Sequence, residues 1–186
     1  MNLFDTFTAA LPYSEFMARH GTPAYADRWR ATYDKVQLTP AQRDLLGQFQ
    51  RQTNVLVLAG AWCGDCSGQC PIFDRFAEAA PDLTVRYLDR DAHPDVQAEL
   101  RINGGDRVPV VVFFSEDGYE VARYGERTLS RYRALAATTI GASCPTGLAA
   151  AGDPLLAAVT QDWLDEFERV QWILRLSPRL RQKHRD

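Results

Sequence analysis

The sequence predicts an α/β fold: a mixed sheet with helices on both faces, with further helical segments at each end. Three observations carry that expectation. The runs NVLVLAG (54–60) and VPVVVFF (108–114) are short and almost uniformly apolar, as suits strands covered on both faces. LTVRYLD (83–89) and YEVARYG (119–125) alternate apolar and polar residues, as strands with one wet face do. Helical patterns fall between these runs, so the order reads strand, helix, strand, helix, strand, strand, helix.

In chain order, the first fifty residues read as helical. YSEFMARHG stops at Gly21, PAYADRWRATYDKVQ starts near Pro23, and TPAQRDLLGQFQRQ has Thr39 as N-cap with Pro40 at the first helical position. After the first strand, a helix begins near Cys63 and runs to about Ala80. HPDVQAELR reads as a short helix, with Asp89 and Asp91 before it as capping residues. SEDG is the turn between the last two strands, and TLSRYRALAATTI returns to helix. The loop GASCPTGLAAAGDP leads into a final helix whose Leu156, Val159, Trp163, Phe167, Val170 and Leu174 form an apolar stripe suited to docking on the core. The basic end, RLSPRLRQKHRD, reads as a solvated tail. The chain therefore divides into a helical extension (1–52), an α/β core (53–140), and a loop, helix and basic tail (141–186).

The 186 residues are 46% hydrophobic and 24% charged with a net charge of −3, a balance that calls for neither nucleic acid nor an anionic membrane surface. The amino terminus has no basic leader and carries Asp5 in its most apolar stretch, and no run approaches the roughly 18 apolar residues of a membrane helix. The expected location is cytoplasmic. Of four cysteines, three crowd into AGAWCGDCSGQCPIF (59–73), which points to redox or metal chemistry.

A C-x-x-C pair at the start of a helix places its first sulfur, Cys63, at unsatisfied backbone N–H groups that favour the thiolate. Cys66 sits one turn along, within reach of a mixed disulfide on Cys63. Gly64 keeps the surface low for an approaching backbone, and Trp62 supplies an apolar rim. A structural zinc site would need a second cysteine pair beyond Cys63, Cys66 and Cys70. His20, His93 and His184 do not supply one. Cys70 follows Cys66 by one turn and is expected to pack against the sheet as a small apolar residue. Cys144 reads as a loop thiol, with a Cys70–Cys144 disulfide as the alternative.

With these features in place, the chain resembles the thioredoxin superfamily. LVLAGAWCGDC matches its strand and Trp-Cys-Gly-x-Cys motif. Pro71 falls where the family's helix is kinked, Pro109 where it has a cis-proline, and Gly125 at a family glycine after the hairpin. The resemblance covers about 53–140 and implies a thioredoxin-like fold. It also implies a redox-active Cys63–Cys66 disulfide with no other cofactor, and a groove in which Trp62, Gly64, Asp65, Val108 and Pro109 meet the substrate. By the same likeness Asp106 and Arg107 border that groove. Partners would be a disulfide-containing protein or small thiol and an external reductase or low-molecular-weight thiol, with no metal.

Two departures bear on function. Asp65 replaces the usual proline, as in the Trp-Cys-x-Asp-Cys thioredoxin-related proteins, which act on fewer targets. Its carboxylate is expected to offset the helix effect on Cys63 and to favour basic partners over acidic ones. Val57 occupies the place of the family's buried acid, and only Arg86 and Arg90 stand near the place of its lysine partner, so deprotonation of Cys66 is expected to use water, Asp65 or a group the sequence does not identify. The expected function is thiol–disulfide exchange on a restricted set of disulfides. A redox-switched binding module using the cis-proline groove, and a metal-thiolate or cluster protein, are the alternatives.

Overall fold

Residues 2–139 and 155–186 are described by a computed structural model. At its centre is a strand on which every residue is buried, β1 (Thr53–Ala59). The sheet order is β2-β1-β3-β4, with β2 (Leu83–Asp89) parallel to β1, and β3 (Val110–Ser115) and β4 (Glu120–Gly125) joined as an antiparallel hairpin. Burial of β1 and β3 on both sides explains why their sequences are uniformly apolar.

The period-two alternation of β3 sends neighbouring phenylalanines to opposite faces. Phe114 packs edge-on against Phe4 of α1 (Leu3–Ala9) at 5.6 Å. Phe113 meets Phe167 of α8 (Leu155–Arg175) at 5.0 Å, beside Phe73 and Phe76 of α5 (Gly64–Ala79). Each such aromatic contact adds roughly 0.5–1.5 kcal/mol to the apolar burial itself. The helical stripe of α8 is wholly buried from Val159 to Leu174, and Trp163 stacks edge-on against Phe73 at 4.6 Å.

The first fifty residues form α1, α2 (Tyr13–His20), α3 (Pro23–Lys35) and α4 (Pro40–Gly47), the last with a complete capping box between Thr39 and Gln42. Leu11, between α1 and α2, pairs with Tyr87 on the outer side of β2 through two backbone bonds of 2.9 and 2.7 Å. α6 (Pro94–Glu99) and α7 (Leu129–Thr139) follow β2 and β4.

Two expectations are corrected. The basic end is not a solvated tail: Pro178–His184 form a short helix, α9, clasped to the β3–β4 turn. Arg179 pairs with Asp117, and Glu116 takes Lys183 at 2.5 Å and His184 at 2.9 Å. Two residues beyond α9, Asp186 binds Arg51 at 2.6 Å and Arg175 at 2.5 Å. Opposite charges some sixty positions apart produce this contact, and charge counting along a short window misses it. Asp91 does not cap α6 either. Asp89 Oδ1 accepts from the N–H groups of Asp91 and Ala92 in the preceding turn, while the N-cap of α6 is His93, whose side chain makes no capping bond.

Candidate active site

Cys63 ends the short link from β1 and is the N-cap of α5, in extended backbone. Its N–H donates to Gly60 O at 3.0 Å and its carbonyl accepts from Ser67 N–H at 3.0 Å, so the first helical turn closes beneath the sulfur. Cys63 is partly exposed and Cys66 fully buried, and both are free thiols. Cys63 Sγ donates to Val108 O at 3.7 Å, and Cys66 Sγ accepts from Gly60 N–H at 3.5 Å. The Val108–Pro109 peptide is cis, the isomer the resemblance implies. Gly125 lies against this loop so closely that a Cβ would stand 2.5 Å from Pro109 O, which excludes a side chain there. At Gly64, in contrast, a Cβ would meet only open space, leaving the approach to Cys63 clear.

The neighbouring Cys66 thiol first, and burial second, push the Cys63 thiol up, while the N–H groups of Cys66 and Asp65 pull it down. Burial pushes up both Cys66 and Cys70, the fully buried thiol one turn behind it. The net direction at Cys63 therefore opposes the simple helix-start argument, and Cys66, not Asp65, is the cause.

Asp65 is correspondingly reassigned. Arg127 Nη2 lies 2.5 Å from its carboxylate and Arg131 Nε 3.5 Å from it, with the Asp65 side chain only 16% exposed. A carboxylate paired this way is not the free charge on which the expected preference for basic partners rests. Sequence spacing could not reveal it, because Arg127 is 62 positions away.

Trp62 is held at the rim. The Arg90 guanidinium sits 4.6 Å above its ring, its Nε1–H donates to Asp91 at 3.0 Å, and its carbonyl accepts from Arg28 at 3.1 Å. Beneath it, the fully buried Trp29 donates Nε1–H to Ala61 O at 2.9 Å. Gln69, also unforeseen, ties three segments together. Its amide donates to Asp65 O and Glu126 O at 3.2 and 3.0 Å, and its oxygen accepts from Trp163 Nε1–H at 3.1 Å. Thus α8 braces the reactive loop through one buried amide. Arg107 lies 3.8 Å from Glu126, and Asp106 is bound by Arg101 at 2.8 Å.

Val57 is fully buried and carries no charge. The carboxylate on this face of α5 is Asp74, one turn beyond Cys70. It accepts from Tyr87 OH at 3.0 Å, and burial pushes its pKa up to about 7. Cys144 and its proposed pairing with Cys70 lie outside the described residues. Among the described residues, no three His, Cys, Asp or Glu side chains are grouped to hold a metal ion, and no helix is long and apolar enough to cross a membrane.

A C-x-x-C pair at a strand–helix junction, facing a cis-proline loop, defines a thioredoxin-like protein. A thioredoxin family model matches residues 10–137, more than half of the chain, and the chain belongs to that family. Thioredoxin of Mycobacterium tuberculosis is 35% identical over 63 residues, 33% of this chain and 51% of that one. Thioredoxin of Chlamydia muridarum is 32% identical over 62 residues, 33% of this chain and 57% of that one. The chain spans about half the length of the curated relatives it matches. A crystal structure of a Pseudomonas aeruginosa protein of unknown function shares the fold, with a TM-score of 0.67 at 20% identity over 88% of this chain and 95% of that one.

Proposed function

We propose that the protein is a dithiol–disulfide oxidoreductase of the thioredoxin-related kind, reducing a restricted set of disulfides. The observation that carries this reading is the pairing of a partly exposed Cys63 with a buried Cys66 it can reach, beside the Val108 carbonyl and cis-Pro109. Cys63, as thiolate, attacks one sulfur of a substrate disulfide. A Cys63–substrate S–S bond forms, the substrate S–S bond breaks, and the departing thiolate takes a proton. Cys66 then loses its proton and attacks Cys63 Sγ, which forms the Cys63–Cys66 disulfide and expels the second substrate sulfur. Two electrons pass from the dithiol to the substrate. An external reductase or low-molecular-weight thiol returns them.

The Val108 backbone and Pro109 would hold the substrate chain in extended form beside Cys63, with Trp62 packed against it and Gly64 leaving room. Such a cycle suits a reducing compartment. The test is Cys66→Ser, which should halt at the mixed disulfide and retain a substrate through a bond that dithiothreitol releases, while Cys63→Ser retains none. Equal retention by both variants, or by neither, would sink the reading.

A further inference from the structure

The reactive cysteine sits within a collar of guanidinium groups. Arg28 donates to the carbonyl of Trp62, and Arg90 covers the Trp62 ring and donates to Asp106 O. Arg107 immediately precedes Val108, whose carbonyl faces Cys63, and Arg127 and Arg131 grip Asp65 from the other side. The carboxylates bound into this collar are Asp65, Asp91, Asp106 and Glu126, with Arg101 on Asp106. Six arginines against four carboxylates leave an excess of two positive charges in a chain whose net charge is −3.

The excess also faces outward. Of the four carboxylates, Asp65 is half-buried, Glu126 is buried, and Asp91 and Asp106 are exposed, whereas the side chains of Arg101, Arg107 and Arg131 are exposed and Arg28 is exposed on α3, so the outward-facing groups keep the excess. Beside Asp65 a groove of about 300 Å³ continues the pattern, with Lys35 and Arg131 on its wall and Asp65 as its carboxylate among the described residues. Surface cations gathered round a reaction centre concentrate anionic reactants and repel cationic ones.

We infer that the disulfide reduced at Cys63 carries carboxylates close to its sulfurs, and that Arg28 and Arg107 select it. This rests on the reading of Cys63 as the attacking thiol. Either an acidic protein segment or the small anionic disulfide of glutathione presents that chemistry. A basic segment would meet Arg28 and Arg107 on approach, the reverse of the preference Asp65 alone suggests.

The experiment uses the full chain, reduced, against peptide disulfides identical but for flanking Glu, Gln or Lys, together with oxidised glutathione. Every rate is divided by that of the same protein with neutral 2-hydroxyethyl disulfide. The Glu peptide should react at least about fivefold faster than the Lys peptide at about 20 mM salt, with the ratio falling toward one near 1 M. The charge reversal Arg107→Glu, alone and with Arg28→Glu, should lower or invert that ratio, and normalisation removes any general loss of activity. Oxidised glutathione matching the Glu peptide assigns the site to the small thiol; glutathione about tenfold slower assigns it to protein substrates. Equal rates for Glu and Lys peptides, or a ratio that Arg107→Glu leaves untouched, overturn the inference while the exchange reading stands. No reaction with any disulfide, the neutral one included, overturns both.

Discussion

At Trp29 a single indole N–H joins the flanking helices to the reactive loop, since it donates to Ala61 O from a side chain with no exposure. Phenylalanine there would keep most of the apolar contact and leave a buried carbonyl without its donor. Trp29→Phe should therefore cost about 1–3 kcal/mol in urea unfolding. A variant as stable as the wild type would show that water replaces the bond. Single residues also mark where the sequence was legible. The spacing of Cys63 and Cys66 could be read because it is local, a helix start and a one-turn step, whereas the cis bond at Pro109 was legible only through the family resemblance. The charge state of the rim could not, because the partners of Asp65 and Trp62 arrive from α3, the β2–α6 turn and the segment after β4.

Among the elements, α5 carries the cysteine ladder at one end and Asp74 further along. Asp74 faces Tyr87 from β2 and, more distantly, Tyr13 of α2, with Glu78 on its own helix. A carboxyl raised to about 7 in the folded state binds its proton more tightly folded than unfolded. The wild type should thus lose stability as pH rises from the ordinary carboxylate range to about 7 and then level off. Asp74→Asn removes that dependence, so denaturation midpoints of the variant should gain on the wild type across the window. Parallel curves would show that Asp74 does not titrate there. α8 supports the site through Trp163, which fills space between Phe73 and Tyr124 and holds Gln69. Trp163→Ala should cost about 3–5 kcal/mol in the same assay and loosen the reactive loop. The apolar stripe of α8 was visible as a helical period. Its hydrogen bond to Gln69 was not, because Gln69 reads in sequence as one polar residue among several on α5.

For the molecule as a whole, the alternation of strands and helices sufficed for the sheet, because buried strands and amphipathic helices are written in periods of two and 3.6 residues. The placement of the ends was less legible, since helices rich in charge announce no partner. Leu11 shows what one of those end segments does. Its two backbone bonds to Tyr87 occupy donor and acceptor on the outer margin of β2, the edge strand of the sheet among the described residues. An open strand margin is a template on which a second chain can add. The helical prelude thus acts as a guard against self-association as well as a brace for the site. Leu11→Pro, which removes the donor without emptying the core, should show a concentration-dependent rise in mass by light scattering. An unchanged mass would mean that the neighbouring helices shield the margin unaided.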